Sequence, residues 1–450
     1  MTSKRLLIIP VEVKAREFYS RLMVALESVN IGFDVIFGSQ DQIVKYIDRI
    51  PAGLYFDKSI SINKQIFFES LVRNKWKITA IDEEGLMAKN NTKRYLTKRL
   101  NTRNLELVDK LFTWGTLDHD LIVNNYPDFQ DKIHVTGNPR IDILRSGFRR
   151  IYEKKSREYS NLYGKYVLFP SSFSVNHALG KNGFNRLMSS LGRVSTKDDQ
   201  EAYEQKYSFL GKTLAKVYSL LESVAQEIPD KNIIIRPHPS EDPFIWKSLA
   251  SKYSNVHVKF EGSVIPWIMG SEFVVHSTCT TGLESALLNK RTISYIPYAN
   301  NEHVTHIANE VSVKFDSAPD LIEYLKVDTS TDWNFDQETL KVLSASVSNY
   351  FDHNSYLKIA EHLSEIKIGS VGNFKFSIPT LDLLKDFFRP FLVLLGYKRR
   401  HFRYLENKFD KMDSEEIQRF VLVYNDVNEK NIKPDIRKLT KNMYLLSNGN

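Results

Sequence analysis

The stretch "RLLIIPVEVKAREFYSRLMVALESVNIGFDVIFGS", residues 5–39, decides the fold. It opens with an apolar run at 5–13, continues with apolar residues at helical spacing as far as Gly32, and ends in a second apolar run at 33–39. Short runs of Leu, Ile and Val on either side of a helical pattern are typical of two parallel strands joined by a helix. The stretch therefore predicts a βαβ unit.

The same alternation continues along the chain in two series. The first series adds the segments "GLYFDKS", "KITAIDEEG", "KLFTWGT" and "KIHVTGNPR". The second consists of "YVLFPSSFS", "NIIIRPHPS", "VHVKFEG", "EFVVHSTCT" and "TISYIPY", with a long helical pattern at 201–227. This order predicts an α/β protein with two Rossmann-like domains, residues 1–150 and 160–330, that face each other across a cleft. Residues 331–450 are predicted to form a helical extension that packs back on the core.

The composition is that of a water-soluble globular protein. Of 450 residues, 42% are hydrophobic and 26% are charged. No stretch reaches the roughly 20 apolar residues of a membrane-spanning helix. The single cysteine, Cys279, excludes an intramolecular disulfide, and the N-terminus reaches charged residues too early for a signal peptide. We expect a cytoplasmic protein.

The net charge narrows the class of partner only in part. It is +8, which favours an anionic partner such as a nucleotide phosphate, a nucleic acid or a membrane surface. Because the sequence contains neither an RNA-binding signature nor a zinc-binding spacing, we expect no nucleic-acid partner and no metal site.

Residues 379–409 join an apolar, aromatic segment to a basic cluster, Lys398, Arg399, Arg400 and Arg403. Two interpretations are open. The segment is either a helical cap over the core or an interfacial segment on the inner face of the cytoplasmic membrane, with its cations toward anionic headgroups. Pro390 would interrupt a single helix, so two short helices are expected.

The stretch "RPHPSED", residues 236–242, directly follows an apolar strand. Residues before proline are held extended, so Arg236 and His238 project from a stiff backbone at the strand end, and Pro239 fixes the chain direction after the histidine. A guanidinium and an imidazole there suit a phosphate or a phosphate leaving group. The alternative is a strand-ending turn with a surface histidine.

The stretch "HSTCTTGLESALL", residues 276–288, reads as a hydroxyl-rich loop that leads into a helix. Backbone N–H groups at the start of a helix attract an anion, and hydroxyl groups add donors. The candidate nucleotide-binding residues are Ser277, Thr278, Thr280, Thr281 and Gly282, with Glu284 as an acceptor for a ribose hydroxyl. Alternatively, Thr281 and Glu284 form a capping box. Ser171 and Ser172, which end the first strand of the second series, are weaker candidates for the same phosphate.

The stretch "AIDEEGL", residues 80–86, places Asp82, Glu83 and Glu84 after a strand of the first series. Crowded acids repel, which suits one of them to act as a base with a raised pKa. The alternative is a helix that begins with favourable acids in its first turn. The stretch "VTGNPRID", residues 135–142, is typical of a tight turn close to the domain boundary.

Together these motifs resemble bacterial sialyltransferases and related enzymes that use CMP-activated sugars. The matching residues are Glu83-Glu84-Gly85, His238-Pro239 and Ser277-Thr278, in the order of that family's acidic, His-Pro and Ser/Thr motifs. The opening "LLIIPVEVKAREFYSRL" and "TGNPR" are also similar to surface carbohydrate biosynthesis proteins, over about residues 1–330.

The resemblance implies the two-domain GT-B fold and a glycosyltransferase that moves a Kdo- or nonulosonic-acid-type sugar from CMP to a surface glycan or lipid-linked glycan. Glu83 or Glu84, or Asp82 beside them, would be the base or, as in similar Kdo transferases, the nucleophile. His238 would assist the departing CMP phosphate. No cofactor is implied, since the CMP-sugar is a substrate.

Three other functions remain open at this point. A CDP-glycerol-type polyol-phosphate transferase also combines an Arg-x-His-Pro motif with a Ser-rich loop. A sugar-nucleotide 2-epimerase shares the two-domain fold and a late helix with glycine and glutamate. A non-catalytic glycan-assembly protein would use the basic tail to stay at the membrane.

Overall fold

The computed structural model describes residues 4–87, 95–96, 99–173, 188–189, 194, 196–238, 241–299, 306–327, 334–351, 353–372, 376–378 and 408–449. The chain divides into two compact units. The first comprises Met1–Ile151 together with Ser344–Asn450, and the second comprises Tyr152–Leu343.

The first unit is built on a parallel sheet. Its parallel strands are β1 (Arg5–Val11), β2 (Phe33–Ser39), β3 (Leu54–Asp57), β4 (Lys77–Ile81), β5 (Lys110–Thr113) and β6 (Ile133–Val135). They lie in the order β2-β1-β3-β4-β5-β6, and each neighbouring pair is parallel. β1 is buried along almost its whole length, because helices cover both faces of such a sheet. This explains why the sequence shows a continuous apolar run here rather than an alternating one.

The described residues of the second unit form a second parallel sheet. Its strands are β7 (Tyr166–Pro170), β8 (Asn232–Arg236), β9 (Val256–Val258), β10 (Phe273–His276), β11 (Arg291–Tyr295) and β12 (Val313–Phe315), in the order β12-β11-β10-β7-β8-β9. The predicted α/β fold with two Rossmann-like domains is confirmed. The short strand β12 was not predicted.

Helices connect the strands of both units. In the first unit the helices are Lys14–Asn30, Gln40–Tyr46, Gln65–Arg73, Thr102–Leu107, Thr116–Asn125, Pro139–Asp142, Ser146–Arg149, Ser355–Ser364 and Ser414–Asn428. In the second they are Glu153–Tyr163, Lys197–Glu227, Phe244–Ala250, Ile265–Gly270, Thr281–Leu287, His306–Glu310 and Ala318–Lys326, and Gln337–Ser346 spans the boundary. Short 3₁₀ helices cover Ile47–Arg49, Ile62–Lys64, Gly85–Met87, Pro127–Lys132 and Arg150–Tyr152.

The C-terminal part contains the predicted helical segment and also a hairpin that the sequence analysis missed. The hairpin strands are β13 (Pro434–Thr440) and β14 (Met443–Asn448), and β14 pairs antiparallel with β2. Gly38 allows this close approach, because a Cβ atom there would lie 2.2 Å from the carbonyl oxygen of Asn442. β13 lies at the sheet edge, and its sequence, "PDIRKLT", is polar and charged. Such a sequence does not resemble the apolar runs from which the other strands were predicted.

The hypothesis of a membrane-contacting tail at 379–409 falls on residues 379–407, which lie outside the described residues. In the part of the chain that the structure describes, no helix is both long enough and apolar enough to cross a membrane.

Asn349 connects the C-terminal part to the turn after β6. Its side chain accepts from the backbone N–H of Asn138 (3.1 Å) and donates to the Asn138 carbonyl (3.0 Å) and to Asp142 Oδ1 (2.6 Å). Asn349 and Asp142 are fully buried. Gly137 has φ +76°, and a Cβ atom on it would lie 2.2 Å from Asn349 Oδ1. The predicted tight turn at "TGNPR" is therefore the place where the returning chain is anchored.

This geometry predicts that Gly137→Ala destabilises the first unit. The left-handed backbone costs about 1–2 kcal/mol for alanine. Displacing Asn349 also disrupts three buried hydrogen bonds, so we expect a loss of about 3 kcal/mol or more in the free energy of unfolding. Urea unfolding followed by circular dichroism measures it.

Gly32→Ala is the matched control. Gly32 also has a positive φ, +93°, but no atom lies within 4 Å of the added Cβ. It should show only the backbone cost, about 1–2 kcal/mol. Equal losses in the two variants would contradict the role of Asn349.

Candidate functional site

Strand order defines one special position at the carboxyl edge of the second sheet. β7 lies between β8 on one side and β10 on the other, so the chain leaves β7 toward one side and later returns to the other side. Ligands in open α/β sheets bind at such a switch point, outside the carboxyl ends of the strands. The loops that follow β7, β8 and β10 carry Ser171 and Ser172, the "RPHPSED" stretch and the "HSTCTT" stretch.

Hydrogen bonds bring these three loops together. Ser172 Oγ donates to the Ser277 carbonyl at 3.0 Å, which joins the loops after β7 and β10. The backbone N–H of Ser171 donates to the Arg236 carbonyl at 2.8 Å, which joins the loops after β7 and β8. Residues that are far apart in sequence, each selected as a phosphate candidate, therefore meet at the switch point.

His238 is exposed at the end of β8, while its backbone is fixed. Its N–H donates to Glu241 Oε2 at 3.0 Å, and its carbonyl accepts from the Glu241 N–H at 2.8 Å. An exposed imidazole on a fixed backbone is able to meet a ligand. Pro239, which was predicted to stiffen this loop, lies outside the described residues.

Arg236 is engaged in the protein. Its guanidinium donates to the carbonyls of Glu261 (3.0 Å) and Gly262 (2.8 Å) and lies 5.5 Å from the ring centre of Trp267. Burial lowers the pKa of Arg236 to about 10. The side chain therefore supports the loop after β9, and its predicted role as a nucleotide ligand stays a prediction.

Glu241 is the residue of this site that the sequence analysis missed. Oε1 accepts from Ser171 Oγ at 2.8 Å and from Trp246 Nε1 at 2.9 Å, while Oε2 accepts from the His238 N–H. Burial raises the pKa of Glu241 to about 7. In the sequence, the position of Glu241 three residues after His238, within "RPHPSED", could have indicated this contact.

The loop after β10 contains strain and a buried hydroxyl. Thr278 has φ +58°, which is rare for a β-branched residue and is characteristic of functional sites. Ser277 is 2% exposed, and its Oγ has no hydrogen-bond partner among the described residues. Buried polar atoms are nearly always satisfied, so this hydroxyl is a candidate ligand contact.

The predicted capping box of Thr281 and Glu284 is wrong. The helix begins at Thr281 itself, the capping position is Thr280, and no side chain caps it. Thr281 is therefore one position too late to cap. Glu284 is buried in this helix, so its predicted contact with a ribose hydroxyl stays a prediction.

Gly282 and His276 hold the loop in shape. A Cβ atom on Gly282 would lie 2.4 Å from His276 Nε2, so only glycine fits. His276 is fully buried, Nδ1 accepts from the Cys279 N–H at 3.3 Å, and Nε2 lies 3.0 Å from Ser312 Oγ. Since the Ser312 hydroxyl donates to the Ala308 carbonyl, the imidazole is neutral with its proton on Nε2. Burial lowers the pKa of His276 to about 3.

The three acids after β4 do not crowd together but have separate partners. Asp82 accepts from Arg99 Nε at 2.9 Å. Glu83 is buried, 3.2 Å from Arg21 Nη2, 3.4 Å from Asn138 Nδ2 and 3.6 Å from Arg140 Nη1. The side chain of Glu84 is 44% exposed, with Arg16 at 3.9 Å. Glu84 is thus the acid of this motif that solvent reaches.

A second charged cluster adjoins these acids, since the Glu83 N–H donates to the Lys58 carbonyl, and the sequence analysis did not identify it. Glu12 pairs with Lys58 and Lys408, and Glu17 lies 3.4 Å from Lys58. Although burial opposes ionisation, Lys58 and Lys408 lower the pKa of Glu12 to about 2. Burial also opposes ionisation of Glu17, but Lys58, with Arg16, holds its pKa below the ordinary value. Glu12 follows β1 and Lys58 follows β3, so this cluster lies at the switch point of the first sheet.

A metal site was not expected, and the described residues contain no group of three or more His, Cys, Asp or Glu side chains able to hold a metal ion. Cys279 is a free thiol, and burial raises its pKa, so the thiol form predominates.

No protein-family model matches the chain, and no curated protein matches it in sequence. Solved structures match it in fold. A structure of S. aureus MnaA with UDP is 13% identical, has a TM-score of 0.50, and covers 82% of this chain and 100% of that chain. A variant of the wall teichoic acid polymerase TagF is 11% identical, has a TM-score of 0.50, and covers 80% of this chain and 88% of that chain.

The chain has a GT-B-like fold. A third similar structure is UDP-GlcNAc 2-epimerase from Methanocaldococcus jannaschii with UDP-GlcNAc and UDP, which is 14% identical with a TM-score of 0.47 and covers 80% of this chain and 99% of that chain. At these identities the likeness extends to the fold alone. The implied GT-B architecture is thus confirmed, while the use of a CMP-sugar donor stays a prediction.

The buried neutral state of His276 predicts an acid-sensitive second unit. The unfolded chain binds a proton at His276 below pH about 6.5 and the folded chain does not until pH about 3, so stability falls as pH decreases through this window. Between pH 7.5 and 5, wild type should lose roughly 2 kcal/mol relative to His276→Gln. Urea unfolding at several pH values tests this, and a pH-independent difference would contradict it.

Proposed function

We propose that the protein is a glycosyltransferase that transfers a Kdo- or nonulosonic-acid-type sugar from a CMP-activated donor to a surface glycan or lipid-linked glycan acceptor. The observation that carries the proposal is the meeting of the serine, His-Pro and Ser/Thr loops at the switch point of the second sheet. This is the edge at which a doubly wound sheet binds a nucleotide phosphate. The sequence of each loop independently suits a phosphate contact.

The chemistry of the second-unit site favours a leaving group with one phosphate. Ser277 offers a buried hydroxyl without a partner among the described residues, and His238 offers an exposed imidazole on a fixed backbone. The guanidinium of Arg236, by contrast, is already bonded to backbone carbonyls. Hydroxyl donors and one imidazole suit the modest charge of a monophosphate such as CMP. His238 would stabilise or protonate this phosphate as the sugar leaves.

The geometry of the acidic motif supports Glu84 as the residue that acts on the acceptor. Asp82 and Glu83 are held by arginines, and neither is accessible. An Asp82 Oδ1 contact with the Glu84 N–H, at 3.3 Å, orients the backbone of Glu84. Glu84 would take the proton of the acceptor hydroxyl as it attacks the sugar.

A second candidate is a transferase that moves a polyol phosphate from a CDP-activated donor. It would also release CMP, and the Arg-Pro-His-Pro stretch fits it equally well. The wall teichoic acid polymerase TagF has a similar fold. In either reaction the loops of the second unit would contact the CMP phosphate.

A nucleotide panel tests the class of donor. Isothermal titration calorimetry with CMP, CDP, UDP and UMP should show binding of CMP at least tenfold tighter than that of UDP, since the site is built for one phosphate. Preference for UDP would favour a sugar-nucleotide epimerase. Incubation with CMP-Kdo, a CMP-nonulosonic acid and CDP-glycerol then separates the two transferases. Release of CMP from none of them would reject both.

His238→Ala should lower turnover by roughly 100-fold or more, because general acid catalysis of the leaving group contributes on this order. His257→Ala is a control on the neighbouring strand β9, outside the proposed phosphate contacts. Turnover is measured as CMP release. Wild-type turnover in His238→Ala would remove the histidine from the mechanism.

The two neighbouring glutamates should respond differently to the same substitution. Glu84→Gln should reduce turnover about 100-fold with no change in unfolding, because its side chain is exposed. Glu83→Gln should lower the free energy of unfolding by about 3 kcal/mol, because it breaks the buried ion pair with Arg21. If Glu84→Gln is active and folded Glu83→Gln is inactive, the base is Glu83.

A further inference from the structure

Glu241 occupies a central position among the loops of the second-unit site. Its two carboxyl oxygens accept from three donors on three different segments: the Ser171 hydroxyl after β7, the His238 N–H after β8 and the Trp246 indole of helix Phe244–Ala250. Trp246 is fully buried and lies 5.8 Å from the ring of Phe169. Through Trp246 the carboxyl group is anchored to the core, and through its other contacts it holds two loops of the site.

The charge of Glu241 is not compensated by a basic side chain. No lysine or arginine in the described part of the chain stabilises its carboxylate, and burial raises its pKa to about 7. The ionisable groups around it are His238 on its own loop, Asp242 beside it, and the Cys279 thiol of the loop after β10, whose pKa is itself raised by burial and by the acids Glu284 and Glu241. An anion brought to these loops would meet the negative charge of an ionised Glu241.

We propose that Glu241 positions His238 and Ser171 and takes up a proton from the buffered solution when a phosphate binds to these loops. In the ionised form the carboxylate repels the phosphate. In the protonated form the repulsion is removed, and the carboxyl group keeps its anchoring contacts, since each oxygen has more than one lone pair. Glu241 is a positioning residue that acts through His238 and Ser171. The inference deepens the proposed function and rests on the phosphate contacts assigned there.

Proton uptake gives a readout that a merely structural carboxyl group would not produce. Calorimetric titration with CMP at pH 7, repeated in buffers of different ionisation enthalpy, measures the number of protons taken up. We expect about half a proton more in wild type than in Glu241→Gln, because half of the carboxyl groups are ionised at that pH before binding. The second ionisation of the nucleotide phosphate acts equally on both proteins and cancels in the comparison.

The pH profile of affinity provides the second readout. Glu241→Gln retains an acceptor oxygen for Ser171 and Trp246 and cannot ionise. The Kd of CMP in wild type, divided by that in Glu241→Gln, should rise about tenfold or more between pH 6.5 and 8.5. Glu323→Gln, which removes an exposed acid of the same unit, is the control and should follow wild type.

The outcomes separate this inference from the proposed function. Tight binding of CMP with equal proton uptake in wild type and Glu241→Gln overturns the inference and leaves the proposed function intact. Binding of inorganic phosphate with the expected uptake, but without any preference for CMP, supports the inference and counts against the proposed function. If wild type binds neither CMP nor inorganic phosphate at millimolar concentration, both are rejected.

Discussion

The parallel arrangement of β8, β7 and β10 is the constraint on which the second-unit site depends. Parallel strands end at the same edge of a sheet, and the strand order reverses at β7, which is the position where open α/β sheets bind ligands. The side chains then refine this position: Ser172 bonds the loop after β10, and Ser171, through Glu241, bonds the loop after β8. With β7 between β8 and β10, the three motifs lie side by side at one edge of the sheet.

The two carboxyl edges differ in their electrostatics. In the first unit, Glu12, Glu17 and Glu83 each lie against lysine or arginine, and Lys58 helps to hold the pKa of Glu12 and of Glu17 below the ordinary value. Breaking such a pair leaves an uncompensated buried charge. In the second unit, the described donors to Glu241 are neutral groups, and burial raises its pKa. A group that changes its charge near neutral pH is suited to respond to an anionic ligand, whereas the ion pairs of the first unit are suited to hold a fixed geometry around Glu84.

The sequence was sufficient for the parallel strands β1 to β11; inner strands such as β1 and β7, which are buried on both faces, appear as continuous apolar runs. It missed β12, none of whose three residues is fully buried, and the hairpin of β13 and β14, whose outer strand is charged. The candidate loops of the second unit lie next to one another, because the carboxyl ends of neighbouring parallel strands meet at one edge of the sheet. Contacts that depend on the folded backbone could not be predicted from the sequence. Arg236 donates to the carbonyls of Glu261 and Gly262, in a loop that contains no recognisable motif. The pKa of Glu241 is raised because the folded chain buries its carboxyl group.

The central claim is that the loops after β7, β8 and β10 hold the phosphate of CMP. A crystal structure of the protein with CMP tests it most directly. The account predicts the phosphate within hydrogen-bond distance of Ser277 Oγ and the His238 imidazole, with Glu241 still bonded to Ser171 and Trp246. A phosphate held elsewhere, with Ser277 Oγ bonded to another protein group and His238 turned toward solvent, would contradict it.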